Sequence, residues 1–595
     1  MDIFSLLTLV GGLALFLFGM DTMGDGLVKV SGGALEKILE KLTQKRIMAV
    51  LTGAMVTAVI QSSSATTVMV VGFVNSGIMQ LQQAAGIIMG ANIGTTITSW
   101  LLSLTGLQGD NIFIQLLKPS SFSPVLAAIG IILVMSSKGN TKKKDIGTIL
   151  LGFAVLMFGM ETMSDSVAPL ADNENFTNIL VKFSNPIMGM LAGAVLTMVI
   201  QSSSASVGIL QALCITGAVG YSTALPIIMG QNIGTCVTAL ISSIGTSRNA
   251  RRAAMVHLYF NLLGTIVFMI VFYTVNRFAD FAFLDLSANA AGIAIIHTCF
   301  NMACAVCWYP FANVLVKLAE MTIPDKSDKP EPVDMRPASL IALDERFLER
   351  PSFAIQLCKR AVTEMAELSK EAFIKSMETI NGFSHEKTDY IISLEQKVDL
   401  FEDELSAYLV QLSGEHLSKK DSRDLSMLLH CVNDLERISD HAVNVTESAQ
   451  EMNEKNIVFS AQAKKEISVF SKAVEDILTK TFDILKNEDS ENAVFIEPLE
   501  EVIDTISVDL KQRHVMRLRH GQCSLEGGII LEDIIINFER VSDHCSNIAL
   551  YLIEPEDDNF EAHKYLSTTA RDEVSWFSEK YREYLSMYSL PEDNQ

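Results

Sequence analysis

Long apolar stretches separated by short polar segments fill the first half of the chain. Seven of them approach the roughly 20 residues that a helix needs to cross a bilayer, and we predict that each is a transmembrane helix. They cover residues 3–20, 83–105, 121–137, 146–165, 223–244, 253–276 and 289–316. Because no basic segment precedes the first stretch and no small-residue cleavage site follows it, we expect a retained span and not a signal peptide.

Two further apolar regions are interrupted by the sequence QSSS, at residues 61–64 and again at 201–204. The apolar segments on either side are only roughly 14 residues long, which is too short for a spanning helix. These segments are 47–60 and 65–78 in the first region, and 187–200 and 205–219 in the second. Irregular backbone is tolerated at membrane depth where it is buried in protein or lines a wet cavity. We therefore predict two re-entrant hairpins, each with a Ser cluster at its tip.

Both QSSS regions belong to a longer internal repeat, in which three blocks recur at the same offset of 140 residues. LFLFGMDTMGDGL at 15–27 matches VLMFGMETMSDSV at 155–167, AVIQSSSATT at 58–67 matches MVIQSSSASV at 198–207, and IIMGANIGTTIT at 87–98 matches IIMGQNIGTCVT at 227–238. Three spans separate equivalent points of the two copies. Because three is an odd number, we predict that the copies are inverted in the membrane. Inverted repeats with a site near the midplane are a transporter architecture.

The basic residues indicate the orientation. With seven spans, the segments 21–46, 138–145, 245–252 and the chain from 317 onward lie on one side, and that side carries 13 of the 16 Lys and Arg residues of 1–323. Loops rich in Lys and Arg face the cytoplasm. We therefore expect the N-terminus outside, the C-terminal half in the cytoplasm, the first hairpin entering from the cytoplasm and the second from outside.

Composition divides the chain into two unlike halves. The net charge of 1–323 is +2 and that of 324–595 is −25, while 49% of all residues are hydrophobic. These values exclude an ordinary soluble globule. The acidic half would repel phosphate backbones, so nucleic acid is not an expected partner. The nine Cys residues show no disulfide framework.

The hairpin tips are suited to binding small ions. Each Ser cluster precedes a helix half that we expect to begin near Ala65 or Ala205, where unpaired N–H groups and the positive end of the dipole favour an anion. Hydroxyl and amide oxygens also suit a small hard cation, and broken helices supply both kinds of site in transporters. The motifs NIGTT and NIGTC add polar side chains to neighbouring spans. The candidate binding residues are Gln61, Ser62, Ser63, Ser64, Asn92, Thr95, Gln201, Ser202, Ser203, Ser204, Asn232 and Thr235.

Other polar groups of the membrane half have alternative interpretations. Ser and Thr can simply tie helices together, and a nucleophilic Ser would need a base within reach. The two HxxFN motifs carry His257, Asn261, His297 and Asn301, which either join helices or line the pathway. Acidic residues of the repeated GM[DE]TM blocks lie at span ends, where they are interfacial or bind a coupling ion: Asp21, Asp25, Glu161 and Asp165. The CxxC of Cys304 and Cys307 is interpreted as small-residue packing.

The second half is predicted to be soluble and helical. A Pro-rich linker at 321–350 precedes segments with the 3.6-residue period of amphipathic helices. The predicted helices are 353–382, 387–413, 421–451, 459–488, 495–520 and 527–553, with a tail helix near 560–588. NDLERISDH at 433–441 resembles INFERVSDH at 536–544, and LEQKVD at 394–399 resembles LEEVID at 499–504. This half is therefore also duplicated, as two sets of three helices.

Pairs of carboxylates recur in these helices at i and i+4, which places both on one helix face. The pairs are Glu395 with Asp399, Glu436 with Asp440, Glu500 with Asp504, and Glu539 with Asp543. Facing helices would bring four carboxylates together, as in carboxylate-lined bundles that hold di- or polynuclear metal. The alternative is that they are surface acids paired with Arg. Oxygen ligands alone do not choose between Fe, Zn and Mg.

These motifs resemble a known family. The paired QSSS and NIGT motifs in 1–320 resemble the type II sodium/phosphate cotransporter family, and ERISDH with ERVSDH resembles the PhoU domain, a phosphate-signalling helical module with metal-binding acidic motifs. The resemblance implies phosphate as substrate, Na⁺ as coupling ion on the hairpin and NIGT residues, and a divalent or iron-type cluster on the eight carboxylates. Without this resemblance, the chemistry of the residues indicates only that the protein binds a small anion and a small cation.

We therefore predict an all-α chain that is not an enzyme. Residues 1–320 would form a polytopic domain of two inverted repeats, about 1–140 and 141–320, with re-entrant hairpins, and 351–590 a cytoplasmic PhoU-like bundle. It would be a multi-pass protein of the bacterial inner membrane that couples Na⁺ to phosphate movement by alternating access. The alternatives are a phosphate exporter on the same scaffold, a carrier of another oxyanion, or a membrane-anchored phosphate-signalling scaffold. A homodimer is left open.

Overall fold

The computed structural model of the chain is almost entirely helical and divides into two units, Met1–Phe353 and Ala354–Gln595. It describes residues 3–31, 38–39, 45–106, 119–137, 141–168, 182–215, 217–325, 336–348, 350–415, 417–553 and 575–591. Over these residues no strand forms, and one isolated bridge joins Gly220 to Ser287. The all-α prediction is confirmed.

The first unit is built from α1 to α14. These helices are α1 Ile3–Ser31, α2 Arg46–Ile60, α3 Ser63–Asn75, α4 Leu81–Ser103, α5 Pro119–Met135, α6 Thr141–Val167, α7 Pro186–Ile200, α8 Ser203–Ile215, α9 Tyr221–Gly234, α10 Cys236–Ser242, α11 Arg248–Ala279, α12 Ala290–Trp308, α13 Ala312–Thr322 and α14 Ala338–Ile341. Within the described ranges, six helical segments are long and apolar enough to cross a membrane: α1, α4, α6, α9 with α10, α11 and α12.

Two of the predicted spans differ from the structure. The stretch 121–137 forms α5, which has 17 residues and carries Pro124 inside it, so it is shorter than the six. The stretch predicted as one span over 289–316 ends at Trp308, and the amphipathic α13 follows. Pro310 lies in this break because proline has no N–H to continue a helix and clashes with the preceding turn.

Helices α1 and α6, which carry the first pair of repeated blocks, pack closely through glycine. A Cβ on Gly19 would lie 2.2 Å from the backbone N of Leu156, and one on Gly159 would lie 2.4 Å from that of Phe16. Only glycine permits such contact between backbones. Residue numbers rise along one helix as they fall along the other, so these equivalent helices run antiparallel.

Each hairpin is formed by two short helices, α2 with α3 and α7 with α8. The first arm packs against the NIGT helix of its own repeat. A Cβ on Gly90 would lie 2.0 Å from the carbonyl oxygen of Val50, and one on Gly230 would lie 1.8 Å from that of Met190. The same close approach therefore occurs in both repeats. In the first hairpin, the Thr57 hydroxyl donates to Thr66 at 3.0 Å and joins the two arms near the tip.

The second unit contains long amphipathic helices close to the predicted bounds. They are α15 Pro351–Asn381, α16 His385–Ser413, α17 Lys419–Glu454, α18 Ala461–Asn487, the short α19 Ser490–Ala493, α20 Glu497–Arg519, α21 Leu525–Ile553 and α22 Ser575–Met587. The first part of the predicted tail helix, 560–574, lies outside the described residues. Buried rings form part of the core, with Phe538 packed 5.6 Å from Phe373 and 5.3 Å from Phe470.

Candidate functional site

The tip of each hairpin is a short break between two helices. Gln61 follows α2 and Gln201 follows α7, and both adopt the left-handed region with φ of 61° and 58°. This conformation is uncommon for residues other than glycine. The backbone N–H of each Gln donates to the carbonyl four residues earlier, of Thr57 at 2.8 Å and of Thr197 at 2.7 Å. The same strained backbone therefore occurs at both tips, and such strain is concentrated at functional sites.

A serine then caps the helix that follows each tip. The Ser62 hydroxyl accepts a hydrogen bond from the N–H of Ala65 at 3.2 Å, and Ser202 accepts one from Ala205, also at 3.2 Å. This is the geometry of an N-cap residue, which satisfies one of the unpaired N–H groups of the first turn. The remaining first-turn N–H groups stay available to a ligand.

The other Ser residues of each cluster belong to the helix itself. The structure begins α3 at Ser63 and α8 at Ser203, two residues before the predicted starts, because the N-cap lies at the first Ser of each cluster. Ser64 and Ser204 follow in the first turn. Their hydroxyls therefore lie at the positive end of a helix dipole, and this arrangement favours the binding of an anion.

Both tips line one cavity of about 210 Å³. Gln61 to Ser64 come from the first repeat, and Gln201 to Ser204 from the second. The structure thus brings together all eight Gln and Ser candidates, although the two clusters are 140 residues apart in the chain. A single cavity with two helix N-termini can hold one small anion between them.

Charged side chains also line this cavity. Asp21 and Asp25 reach it from α1, and Arg350 reaches it from the segment that precedes α15. The sequence predicts both Asp residues as interfacial groups or as ligands of a coupling ion, and both lie at the cavity. Their counterparts Glu161 and Asp165 are not among the lining residues. No motif in the sequence marks Arg350.

The four NIGT candidates lie elsewhere in the first unit. The Asn92 side-chain amide donates to Asn261 Oδ1, and that of Asn232 donates to Asn301 Oδ1 at 2.8 Å. All four side chains are buried. Each NIGT helix is thus joined to one HxxFN helix, a pairing that the sequence does not predict.

The remaining polar groups of these motifs bond within the helices. Thr95 donates to the carbonyl of Ala91 at 3.2 Å, and Thr235 donates to that of Gln231 at 3.0 Å. The structure therefore places the NIGT Thr and Asn side chains in helix-to-helix and within-helix bonds, and none of them lines the cavity.

The two His residues are also buried in this scaffold. His297 Nδ1 lies 2.7 Å from the Ser99 hydroxyl, and its carbonyl accepts from Asn301 at 2.9 Å. His257 is fully buried, and its carbonyl accepts from Asn261 at 3.1 Å. Neither lines the cavity of the Ser clusters, so no base of this kind lies beside a Ser nucleophile there.

In the second unit, the acidic motifs form two separate groups. Glu395, Asp399 and Asp440 have oxygen atoms within 4.8 Å of one another, and so do Glu500, Asp504 and Asp543. Each group combines two helices, α16 with α17 and α20 with α21. The structure thus brings together three of the four predicted carboxylates in each repeat.

The fourth carboxylate of each set lies outside these groups. Glu539 accepts hydrogen bonds from Ser507 at 2.6 Å and from Lys511 at 3.0 Å. Glu436 has its carboxylate 3.5 Å from the guanidinium of Arg437. Both therefore have cationic neighbours, and so does one member of each group, since Asp440 lies 3.8 Å from Arg437 and Asp543 lies 3.3 Å from Arg540.

The electrostatics of the groups favour a bound cation. Burial, with the neighbouring Asp504 charge adding to it, raises the pKa of Glu500 to about 9. Burial and the charge of Glu539 raise the pKa of Asp504 to about 6, and its Oδ1 is buried without a hydrogen-bond partner in the described structure. In the other group, burial and the charge of Asp399 raise the pKa of Glu395, and burial and the charge of Asp440 raise the pKa of Asp399. Crowded, partly dehydrated carboxylates of this kind fit a multivalent metal ion.

Comparison with known families decides the class of the protein. The model of the Na⁺/Pi-cotransporter family matches twice, over residues 15–165 and 155–298, and the PhoU domain matches twice, over 362–449 and 467–552. The chain carries a Na⁺/Pi-cotransporter domain over residues 15–298. Its second half carries the PhoU domain. The Na⁺/Pi-cotransporter family is one of phosphate transporters and not of enzymes.

Individual relatives extend the same picture. Proteins of Salmonella typhimurium and Escherichia coli K12 that carry the name of an inorganic phosphate export protein, YjbB, are 23% identical over 94% of this chain and 100% of their own length. The rat protein named sodium-dependent phosphate transport protein 2A is 35% identical over 20% of each chain. No solved structure matches. This chain is thus similar to proteins named for phosphate export and to one named for sodium-dependent phosphate transport.

Proposed function

We propose that this protein is a secondary active transporter that couples Na⁺ to the movement of inorganic phosphate by alternating access. The observation that carries the proposal is the single cavity lined by both QSSS tips, one from each repeat. A site formed jointly by two repeats can open to either side as the repeats move.

Phosphate binds between the two tips. The first-turn N–H groups of α3 and α8 and the hydroxyls of Ser63, Ser64, Ser203 and Ser204 supply donors at the positive ends of two dipoles. Ser62 and Ser202 hold these helix starts in place through their N-cap bonds.

Na⁺ binds beside the phosphate. Asp21 and Asp25 supply carboxylates to the cavity, and the Gln and Ser residues supply neutral oxygens. Gln61 is positioned for this role because its Oε1 accepts from the Thr98 hydroxyl at 2.9 Å. Binding of the cation reduces the repulsion between these carboxylates and the anion, and this mutual attraction couples the two ions.

Alternating access follows from inverted repeats. The antiparallel course of the equivalent helices α1 and α6 is what inversion requires, and the bias of basic residues supports a first hairpin entering from the cytoplasm and a second from outside. In this arrangement the N-terminus is outside and the PhoU domain is cytoplasmic, in the inner membrane of a bacterium. The NIGT and HxxFN residues hold the helices that frame the hairpins.

The PhoU domain holds metal and regulates flux. The orphaned Asp504 Oδ1 and the groups of three carboxylates fit a divalent or iron-type ion. Such an ion would supply positive charge that neutralises the carboxylates and stabilises the bundle. The residues that would hold it are Glu395, Asp399 and Asp440, and Glu500, Asp504 and Asp543, with Glu436 and Glu539 beside them.

Export is the second candidate. It is favoured by relatives that are named for phosphate export and align with 94% of this chain. Export uses the same cavity and the same ions, and the direction of net flux depends on gradients and regulation. Transport of another oxyanion, or a signalling scaffold without flux, are the remaining alternatives.

Purified protein in proteoliposomes tests the proposal. Labelled phosphate flux is measured with an inward Na⁺ gradient, an outward Na⁺ gradient and a K⁺ gradient as control, with sulfate as competitor. Flux that requires Na⁺ and is not inhibited by sulfate supports the proposal. Equal flux with K⁺ would contradict Na⁺ coupling, and absence of flux in every arrangement would leave the scaffold alternative.

A further inference from the structure

The segment of residues 336–348 and 350–353, which we call the strap, ends the first unit and brings Arg350 to the cavity of the two tips. Arg350 is the basic side chain among the described residues that line this cavity. It belongs to neither copy of the repeat, so it has no counterpart at the second tip. The strap lies in the region that the sequence predicts as a linker, yet it packs against the first unit.

Aromatic contacts attach the strap to the first hairpin. The ring of Phe347 lies 5.3 Å from that of Phe73 on α3 and 5.0 Å from that of Phe353, and all three side chains are buried. A Cβ on Gly72 would lie 3.0 Å from the tip of the Phe347 ring. The strap therefore packs on the same short helix whose other end carries the Ser cluster.

Polar contacts fix the strap further. Asp344 is buried, and its Oδ2 accepts from the Asn75 amide at 2.7 Å. Arg346 donates to Asp344 Oδ1 at 2.7 Å and to the carbonyl of Ser242 at 3.3 Å. Asn75 in turn accepts from the N–H of Ser247 at 2.8 Å. These bonds connect the strap to both repeats, so the strap is a packed part of the first unit and not a simple linker.

We propose that Arg350 is a phosphate-binding residue that the strap holds in the cavity, an inference that rests on the proposed function. Two of the three charged groups lining the cavity are carboxylates, Asp21 and Asp25, which repel an anion. A guanidinium offsets that repulsion and can donate two parallel hydrogen bonds to phosphate oxygens. The strap keeps the side chain near the tips, so less side-chain freedom is lost on binding.

Arg350 also lies directly before the helix that leads into the second unit. Helix α15 begins at Pro351, directly after Arg350, and continues to Asn381 without interruption. The PhoU match begins within this helix, at residue 362.

Kinetics of labelled phosphate flux test this role in the full-length protein. The variants are Arg350→Ala, Arg350→Lys and Phe347→Ala, with Arg423→Ala as matched control because Arg423 is exposed on the second unit. We expect Arg350→Ala to raise the KM for phosphate roughly tenfold or more, since a hydrogen bond to a charged group is lost. Arg350→Lys should recover part of this loss, and Phe347→Ala should raise KM with Arg350 still present. Arg423→Ala should leave KM unchanged.

The Na⁺ concentration for half-maximal flux, measured at saturating phosphate, distinguishes loss of phosphate binding from a general structural defect. A damaged site would also lose Na⁺, whereas removing a cation near Asp21 should not weaken Na⁺ binding. An unchanged phosphate KM in Arg350→Ala would overturn the proposal. Faster flux at an unchanged KM would also overturn it, because Arg350 would then obstruct the cavity and not bind phosphate. Equilibrium binding of labelled phosphate to each purified variant repeats the test without flux. A wild type that neither transports nor binds phosphate would contradict the proposed function and, with it, this role of Arg350.

Discussion

Gln61 and Gln201 adopt the same left-handed backbone conformation at the two tips, with φ of 61° and 58°. The two repeats therefore share the strained backbone conformation at this Gln as well as the QSSS sequence. Comparing Gly with Ala at these positions isolates the backbone contribution, since both substitutions remove the Gln side chain. We expect Gln61→Gly to be about 1 kcal/mol more stable than Gln61→Ala, because a Cβ is disfavoured at positive φ. Thermal unfolding of the purified variants measures the difference, and an Ala variant at least as stable as the Gly variant would contradict it.

The Asn92–Asn261 bond makes a prediction about stability and not about binding. Asn92→Ala leaves the buried Oδ1 of Asn261 without its donor, which costs about 1–3 kcal/mol. The melting temperature should therefore fall while the KM for phosphate of the folded protein stays the same. The matched variant is Asn232→Ala, which breaks the equivalent bond to Asn301. A large rise in KM with little change in melting temperature would instead place these Asn residues in the binding site.

Much of the fold could be predicted from the sequence because repeats and helical periodicity are local. QSSS at 61–64 and 201–204 marked the hairpin tips, and the helix predicted at 387–413 forms as His385–Ser413. The partner of Asn92 could not be predicted, since Asn261 lies 169 residues away and only the packing of helices brings them together. Arg350 was missed for the same reason, because its position depends on aromatic contacts of the strap.

Metal binding by the second carboxylate group should depend on pH. Glu500 and Asp504 have pKa values raised to about 9 and about 6, and a metal must displace their protons. Affinity should therefore rise as pH increases from about 5 to about 9. Calorimetric titration of the chelator-treated full-length protein with Zn²⁺, Mg²⁺ or Fe²⁺ measures this. Asp504→Asn should weaken binding strongly, whereas Glu539→Gln should have less effect because Glu539 is paired with Lys511. Affinity independent of pH would count against these ligands.

The same burial predicts how stability of the metal-free protein changes with pH. In the folded state the pKa of Glu500 is raised from its ordinary 4.5 to about 9. Between these pH values the folded protein retains a proton that the unfolded chain releases, so the free energy of unfolding falls as pH rises. Melting temperatures from pH 5 to pH 9 should show this fall, and Glu500→Gln should reduce it. Glu475→Gln, an exposed carboxylate on α18 that does not act on Glu500, is the control that should keep the wild-type slope.

The central claim is that the two tips form one phosphate site. Equilibrium binding of labelled phosphate to the purified protein in Na⁺ tests it most directly. Two variants are compared with the wild type, Ser63→Ala with Ser64→Ala in the first tip, and Ser203→Ala with Ser204→Ala in the second. Both keep the N-cap residues Ser62 and Ser202, so the helix starts should be preserved. We predict one phosphate per chain in the wild type, with all binding weakened by either variant. Two phosphates per chain, or a variant that loses half of the sites and keeps the other half at full affinity, would contradict a shared site.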